Sequence, residues 1–115
     1  MMNLLEEKFD DVFVITVAMK RATISESEEF KSKITQIIER GFSKIVIDLS
    51  QVEFIDSSFL GVLVTALKRV VAEKGDLKLV GFQPAVRSMF ELTRMFRVFD
   101  TFERVDQSVA SFSDY

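Results

Sequence analysis

Three short, mainly apolar runs, separated by longer amphipathic stretches, constrain most strongly how this chain can fold. The runs occupy residues 12–17, 44–49 and 77–82. A short, continuously apolar run is typical of a strand that is buried on both faces of a sheet. Because strands alternate with helical patterns, we predict crossover connections and a mainly parallel sheet.

The stretches between the runs have the periodicity of amphipathic helices. The first helix is predicted to begin at Ser25, since Ser25 and Glu28 have the spacing of a capping box, and to end at Gly41. A second helix is predicted over residues 58–73, and Pro84 suits the first turn of a third. The predicted core face of the first helix consists of Phe30, Ile34, Ile37 and Ile38. That of the second helix consists of Leu60, Leu63, Val64, Leu67, Val70 and Val71. That of the third helix consists of Val86, Met89, Phe90 and Thr93.

The two ends of the chain carry weaker patterns. Leu4–Phe9 is expected to add an antiparallel edge strand, residues 98–102 a short edge strand, and residues 106–112 a last helical turn or two. We therefore predict one α/β domain over residues 1–115, with a mostly parallel, mixed sheet of about 4–5 strands and about 4 helices.

Composition narrows the range of functions. Cysteine and histidine are absent, which excludes disulfides, thiol catalysis, Cys-type zinc sites and a Ser-His-Asp triad. There is no Gly-rich phosphate-binding loop, and the net charge of −3 without a basic block disfavours nucleic acid as a partner. We expect a protein that is not an enzyme, holds no metal or cofactor, and resides in the cytoplasm, because no membrane span or signal-peptide core is present.

The loop after the second run is the candidate functional segment, because ligands and partners of parallel sheets meet the loops beyond the carboxyl ends of strands. Asp56, Ser57 and Ser58 are all residue types that cap helix N-termini. A phosphate on Ser57 would lie near the free N–H groups and the positive end of the second helix. The alternative is that these residues form only a helix cap.

A second apolar stripe, formed by Phe59, Val62 and Ala66, lies beside the predicted core face of the second helix. Gly61 leaves a gap in the surface near the start of this helix. An exposed apolar stripe next to a polar helix terminus favours a docking surface for a partner protein. The alternative is that Phe59 and Val62 pack under a neighbouring loop.

The segment IVIDLSQVEFIDSSFLGVLV resembles the signature of STAS domains, the family of bacterial anti-sigma factor antagonists. The family pattern, an apolar strand ending in Asp-Leu and then Asp-Ser-Ser/Thr-Gly-Leu-Gly, stands here as Ile47-Asp48-Leu49 and Asp56-Ser57-Ser58-Phe59-Leu60-Gly61. The later stretch LKLVGFQPAVRSMFELTRMFRVFDTF is similar to the second half of such domains, so the resemblance covers nearly the whole chain.

The resemblance implies a regulatory protein. Ser57 would be the residue that a partner kinase phosphorylates, with Ser58 as the second choice, and Asp56 would position the serine. The partner would be an anti-sigma factor that is itself an ATP-dependent serine kinase, captured by the unphosphorylated antagonist so that a sigma factor is freed. Phosphorylation would end the capture, a serine phosphatase would restore it, and transcription would respond. The chain would be a monomer, with a dimer as the alternative.

Two departures from the family pattern bear on the partner surface. Phe59 stands where the family has glycine, and either narrows access to Ser57 or supplies a new contact. Residues 18–25 lack the family's Gly-x-Leu/Ile-Asp pattern and carry Lys20 and Arg21 instead. These cations either pair with a phosphate on Ser57 or with acidic residues of a partner, or are solvated turn residues.

Two other functions remain open. In one, the chain is a STAS scaffold subunit of a stress-signalling assembly or a transporter, and Ser57 never receives phosphate. In the other, the same loop binds a small ligand or acts as an enzyme, with Glu53 and Asp56 as acid and base. The missing histidine, cysteine and Gly-rich loop make the second the weakest hypothesis.

Overall fold

A computed structural model describes residues 2–114 of the chain. In chain order the elements are β1 (Leu4–Phe9), β2 (Val12–Val17), β3 (Arg21–Ala22), α1 (Ile24–Glu39), β4 (Lys44–Asp48), β5 (Phe54–Ile55), α2 (Ser57–Ala72), β6 (Asp76–Val80), α3 (Pro84–Leu92), β7 (Thr101–Phe102) and α4 (Val105–Ser111), with 3-10 turns at Met95–Arg97 and Phe112–Asp114.

The three apolar runs form neighbouring parallel strands. Their register places Ile15 opposite Ile47, and Ile47 opposite Leu79. β1 adds an antiparallel edge next to β2, and β7 pairs in parallel with β6, giving the order β1-β2-β4-β6-β7 within residues 2–114. The predicted α/β class, with its mixed sheet and four helices in the described chain, is confirmed.

Alternating side chains divide the sheet into two faces. One face carries the large core, where residues such as Ile15, Ile47 and Leu79 are fully buried together with apolar residues of α1, α2 and α3. The other face carries a smaller cluster that includes Val14, Val46 and Phe112, against which α4 packs. Both faces of the central strands are therefore covered, which explains why most residues of these strands are apolar.

A buried charged residue lies on the face beneath α4. Lys78 lies in the middle of β6 and is only 2% exposed. Its Nζ donates a hydrogen bond to Ser111 Oγ at 2.6 Å and lies 4.2 Å from the centre of the Phe112 ring. The C-terminal helix thus supplies the polar and aromatic partners that a buried ammonium requires.

The start of α1 differs from the prediction. The N-cap is Thr23 rather than Ser25, and the Thr23 N–H donates to Glu26 Oε1 at 2.8 Å, so the side chain that reaches back is Glu26 and not Glu28. Gly41 ends this helix as predicted, with a φ of +100° that favours glycine.

Three further details of the prediction are wrong. The second helix begins one residue earlier than predicted, at Ser57, because Asp56 is its N-cap. Val71 is 54% exposed rather than part of the core face. Thr93 is exposed and forms the C-cap of α3, although Pro84 does occupy the first turn of that helix as predicted. Each difference lies at an element end, where one or two residues decide the geometry.

Within the described chain, no helix is long and apolar enough to cross a membrane.

Candidate functional site

The loop from β4 to α2 is held to the body of the domain by buried apolar side chains. Leu49, Val52 and Ile55 are at most 2% exposed, and the Leu49 N–H donates to the Val80 carbonyl oxygen at 2.8 Å. The Gln83 side chain donates to the Ser50 carbonyl oxygen at 3.0 Å. The loop is thereby fixed at the edge of the sheet where the parallel strands β2, β4 and β6 end.

A second, two-stranded sheet, which the sequence analysis missed, extends this end of the molecule. β3 pairs in parallel with β5, placing Arg21 opposite Phe54 and Ala22 opposite Ile55. The Lys20 carbonyl oxygen also accepts hydrogen bonds from the N–H groups of Glu53, at 2.7 Å, and Phe54, at 3.1 Å. The segment that carries Lys20 and Arg21 therefore lies beside the segment that leads to Ser57.

Asp56 joins the N-termini of the two long helices. Its Oδ1 accepts a hydrogen bond from the Phe59 N–H at 3.0 Å, which caps α2. Its Oδ2 accepts from the N–H of Ile24, the first residue of α1, at 2.8 Å. Both carboxylate oxygens are thus used to satisfy helix N–H groups that have no partner inside their own helices.

Ser57 is the first residue of α2 and is exposed. Ile55, two residues before it, and Phe59, two residues after it, are buried. Within the described chain, the Ser57 hydroxyl makes no hydrogen bond. Ser58 is half-buried and does not cap the helix. The hydroxyl of Ser57 is therefore reachable from solvent, and Phe59 does not cover it.

The expected exposed stripe on α2 is wrong for its largest member. Phe59 is fully buried and its ring stacks on that of Phe30 in α1, with the ring centres 4.6 Å apart. Ala66 is 5% exposed, and only Val62 is half-buried and open to solvent. The stripe packs against α1 rather than under a loop, so Phe59 supports the site from inside and is not a surface contact.

The family model for the STAS domain matches residues 6–108. This chain belongs to the STAS family. The match includes every element from β2 to β7 together with the loop that carries Asp56 and Ser57. Phosphorylation and partner switching are typical of STAS antagonists, and the family is generally non-enzymatic.

This STAS domain has relatives named as anti-sigma factor antagonists. A protein of Thermotoga maritima with that name is 32% identical over 101 residues, covering 87% of this chain and 88% of the relative. The crystal structure of an anti-sigma factor antagonist from Mycobacterium paratuberculosis superposes with a TM-score of 0.88 at 25% identity, covering 99% of this chain and 96% of that one.

A more distant solved structure shares the fold alone. SpoIIAA in its unphosphorylated form has a TM-score of 0.84 at 18% identity, covering 98% of each chain. The Bacillus SpoIIAA has also been solved in its phosphorylated form, with a TM-score of 0.74 at 18% identity, covering 96% of this chain and 99% of that one.

Two exposed side chains of this STAS domain were missed by the sequence analysis. Ile24 is 69% exposed although it is apolar, and its N–H is the one that Asp56 binds. Phe54 is 38% exposed, and the Arg21 guanidinium carbon lies 4.5 Å from the centre of its ring. The Thr-x-x-Glu spacing at Thr23 and Glu26 is a second capping-box signal beside that of Ser25 and Glu28, and it is the one that the structure uses.

The arrangement is suited to recognition rather than to acid–base chemistry. Glu53 is exposed, and both oxygens of Asp56 are occupied as hydrogen-bond acceptors. No cluster of acidic residues that could hold a metal ion occurs among residues 2–114. This end of the STAS domain presents the exposed Ser57 at a helix start, together with an exposed isoleucine and an arginine stacked on an exposed phenylalanine.

Proposed function

We propose that this STAS domain is a phosphorylation-switched anti-sigma factor antagonist. In its unphosphorylated form it binds an anti-sigma factor that is a serine kinase, through the surface around Ser57. Phosphorylation of Ser57 releases the kinase, and a serine phosphatase restores the antagonist. The ratio of unphosphorylated to phosphorylated antagonist then sets the level of sigma-factor-dependent transcription. The chain acts in the cytoplasm and contributes no catalysis of its own, since ATP and the catalytic groups belong to the partner.

The observation that carries the proposal is the setting of the Ser57 hydroxyl. It is exposed at the first position of α2, while Asp56 before it is fixed by two hydrogen bonds and Phe59 after it is buried. A kinase needs a hydroxyl it can reach, and a switch needs that hydroxyl on a rigid surface that the kinase also grips. Ser57 is exposed and lies between two fixed residues, which supports the proposal.

The folded domain can hold a phosphate at this position. The first N–H groups of a helix lack intrahelical partners, and the helix N-terminus attracts anions. A phosphoserine adds a charge of about −1.5 to −2 at pH 7. Because the unpartnered N–H groups at the start of α2 can accept this charge, it would change the partner surface more than the stability of the domain, and the neighbouring Asp56 would add like-charge repulsion.

The proposed contact surface consists of exposed or half-buried side chains around the hydroxyl. They are Lys20, Arg21, Asp56, Ser57, Ser58 and Val62. Lys20 and Arg21 are exposed cations, and β3 lies next to the strand that leads to the helix N-terminus. Their positive charge would suit acidic residues of a partner or the phosphate itself.

The test is phosphorylation by purified partners. Each serine-kinase anti-sigma factor encoded in the source genome is incubated with the chain and Mg·ATP, and the product is analysed by peptide mass spectrometry. We expect one phosphate, located on Ser57, that is absent in Ser57→Ala and retained in Ser58→Ala. No phosphate with any kinase, together with a complex that is insensitive to Ser57→Asp, would contradict the proposal and favour a scaffold role.

A further inference from the structure

The outer edge of β1 is open to solvent. Within residues 2–114, β1 pairs only with β2, so it forms one edge of the five-stranded sheet. Residues 5–9 are all exposed, and they include two large apolar side chains, Leu5 at 55% and Phe9 at 40% exposure. An exposed edge strand of six residues is a template on which a further strand can pair. The backbone and the side chains of this edge are therefore both available to another chain.

The backbone groups that point outward belong to alternate residues of β1. The Ala18 N–H donates to the Asn3 carbonyl oxygen at 2.9 Å, which makes these two residues a hydrogen-bonded pair. Hydrogen-bonded pairs alternate along an antiparallel ladder, so the odd-numbered residues of β1 direct their backbone groups to β2. The outward N–H and C=O groups at the centre of the strand thus belong to Glu6 and Lys8.

The side chains of β1 are nearly symmetric about Glu7. Glu6 and Lys8, of opposite charge, are one position away from it, on the face of the sheet that carries the large core. Leu5 and Phe9, both apolar and exposed, are two positions away, on the face that α4 covers farther in. A strand with this order of residues is complementary to an antiparallel copy of itself.

The symmetry selects one register. Antiparallel pairing of two identical strands about a two-fold axis makes one residue face itself. With Glu7 on the axis, Glu6 lies opposite Lys8 of the second copy, and Leu5 lies opposite Phe9, each twice. Opposite charges and apolar pairs directly across a ladder are stabilising. With the axis on Glu6 or on Lys8, like charges face each other at the centre and an apolar residue faces Glu7.

We propose that two copies of this chain associate by antiparallel pairing of their β1 strands about a two-fold axis at Glu7, which joins the two sheets into one continuous sheet. The backbone groups of Glu6 and Lys8 would form hydrogen bonds between the copies. This edge shares no residue with the surface proposed to bind a kinase, so the dimer does not depend on the proposed function. The contact is small and Glu7 faces itself, so the dimer is expected to be weak and dependent on concentration.

The experiment uses the residue that faces itself. Glu7→Lys keeps like charges on the axis of its own dimer, but it places opposite charges there when it pairs with the native chain. Sedimentation equilibrium of the native chain, the variant and their equimolar mixture gives three dissociation constants, and thermal unfolding verifies that each chain is folded. We expect the mixed dimer to have a dissociation constant about fivefold below that of either homodimer. Leu92→Lys, at a residue that is 85% exposed at the end of α3, is the control and should leave the native value unchanged.

Nuclear magnetic resonance locates the contact. When the ¹⁵N-labelled native chain is titrated with unlabelled Glu7→Lys, the amide protons of Glu6 and Lys8 should shift and exchange more slowly with solvent. Lys8→Pro removes an outward N–H and no bond to β2, so it should weaken association about tenfold or more.

Three results would overturn the dimer. One is the absence of association in both the native chain and the mixture up to about 1 mM. Another is a mixture that associates no more tightly than the homodimers. The third is a set of amide shifts confined to residues outside β1. Glu7→Lys decides the matter should Lys8→Pro not fold.

Discussion

The side chain of Asp56 accepts a hydrogen bond from the backbone N–H of Ile24 at 2.8 Å, although the two residues are 32 positions apart in the sequence. The same carboxylate caps α2 through the Phe59 N–H. One acidic residue therefore fixes where two helices begin, and it holds the exposed Ile24 beside the exposed Ser57. The orientation of the two helix N-termini depends on this carboxylate.

Replacing Asp56 should destabilise the domain in two graded steps. Asp56→Asn keeps one carbonyl oxygen for the Phe59 N–H but presents an NH₂ group to the Ile24 N–H, so we expect a loss of about 1–2 kcal/mol. Asp56→Ala removes both acceptors and should cost more than the loss of a helix cap alone, which is about 1 kcal/mol. Urea denaturation measures both losses.

The matched control for Asp56 is Glu53→Gln, which removes a carboxylate from an exposed residue of the same loop. Its free energy of unfolding should stay within about 0.5 kcal/mol of the native value. Equal losses for Glu53→Gln and Asp56→Asn would mean that charge, and not the two hydrogen bonds, sets the stability of this loop.

Ser57→Ala should leave the free energy of unfolding within about 0.5 kcal/mol of the native value. The physical reason is that Asp56 caps α2 and the Ser57 hydroxyl is exposed. Ser57→Asp should be tolerated as well, because an acidic residue in the first turn interacts favourably with the helix dipole. Denaturation curves that place Ser57→Ala well below the native chain would assign Ser57 a structural role.

The strands and the core faces of the helices could be predicted because both follow from local apolar patterns. β2, β4 and β6 each coincide with most of one of the apolar runs, since central strands covered on both faces need apolar side chains at most positions. Lys78 is a buried exception, and its burial depends on α4, which follows far along the chain.

The start of α1 and the burial of Phe59 could not be read locally. Two overlapping capping-box spacings occur at the start of α1, one from Thr23 and one from Ser25. The structure uses the first, and the distant Asp56 accepts a hydrogen bond from the Ile24 N–H at that start. Phe59 has the spacing of a surface stripe on α2, but α1 covers that stripe through Phe30. The paired segments β3 and β5 are too short for a periodic pattern.

Truncating Phe59 should be among the most destabilising single changes at this end of the domain. Phe59→Ala removes a fully buried ring and its stack on Phe30, so we expect a loss of about 3–5 kcal/mol. Phe30→Ala should cost a similar amount. A double-mutant cycle of the pair should give a coupling of about 0.5–1.5 kcal/mol, the range for aromatic pairs.

Leu92→Ala is the control for Phe59, because Leu92 is a large apolar residue that is 85% exposed. Its unfolding free energy should change by less than about 0.5 kcal/mol. A small loss of unfolding free energy for Phe59→Ala would indicate that the ring is not packed between the helices. It would then support the surface role that the sequence pattern predicted.

Two glycines should respond to alanine in opposite directions. A Cβ on Gly75 would lie 1.8 Å from the Ser43 carbonyl oxygen, so Gly75→Ala forces the backbone apart and should cost about 1–3 kcal/mol or more. A Cβ on Gly61 meets nothing within 4 Å, so Gly61→Ala should raise stability by about 0.5–1 kcal/mol. Chemical denaturation of both variants gives the sign of each change in unfolding free energy. A loss of stability in Gly61→Ala would show that the surface of α2 is not open there.

Asp76 should make the domain's stability depend on pH in the unusual direction for a carboxylate. Burial raises the pKa of Asp76 above 3.8, and the charge of Asp100 acts in the same direction, against the Leu77 N–H and the charge of Lys78. The folded state therefore keeps a proton that the unfolded state has lost, so Asp76 favours folding most at low pH. That contribution is lost as pH rises through the folded pKa.

Asp76→Asn removes this titration, so its unfolding free energy relative to the native chain should increase from about pH 4 to about pH 6. Asp106→Asn provides a control of opposite sign, because the hydrogen bond from Arg104 lowers the pKa of Asp106. The stabilising effect of native Asp106 is present above the unfolded pKa and is lost as pH falls through the folded one. Urea denaturation from about pH 2 to about pH 6 measures both differences, because the Asp106 effect falls below about pH 4 and the Asp76 effect above it. Parallel curves for Asp76→Asn and the native chain would mean that folding does not raise the pKa of Asp76.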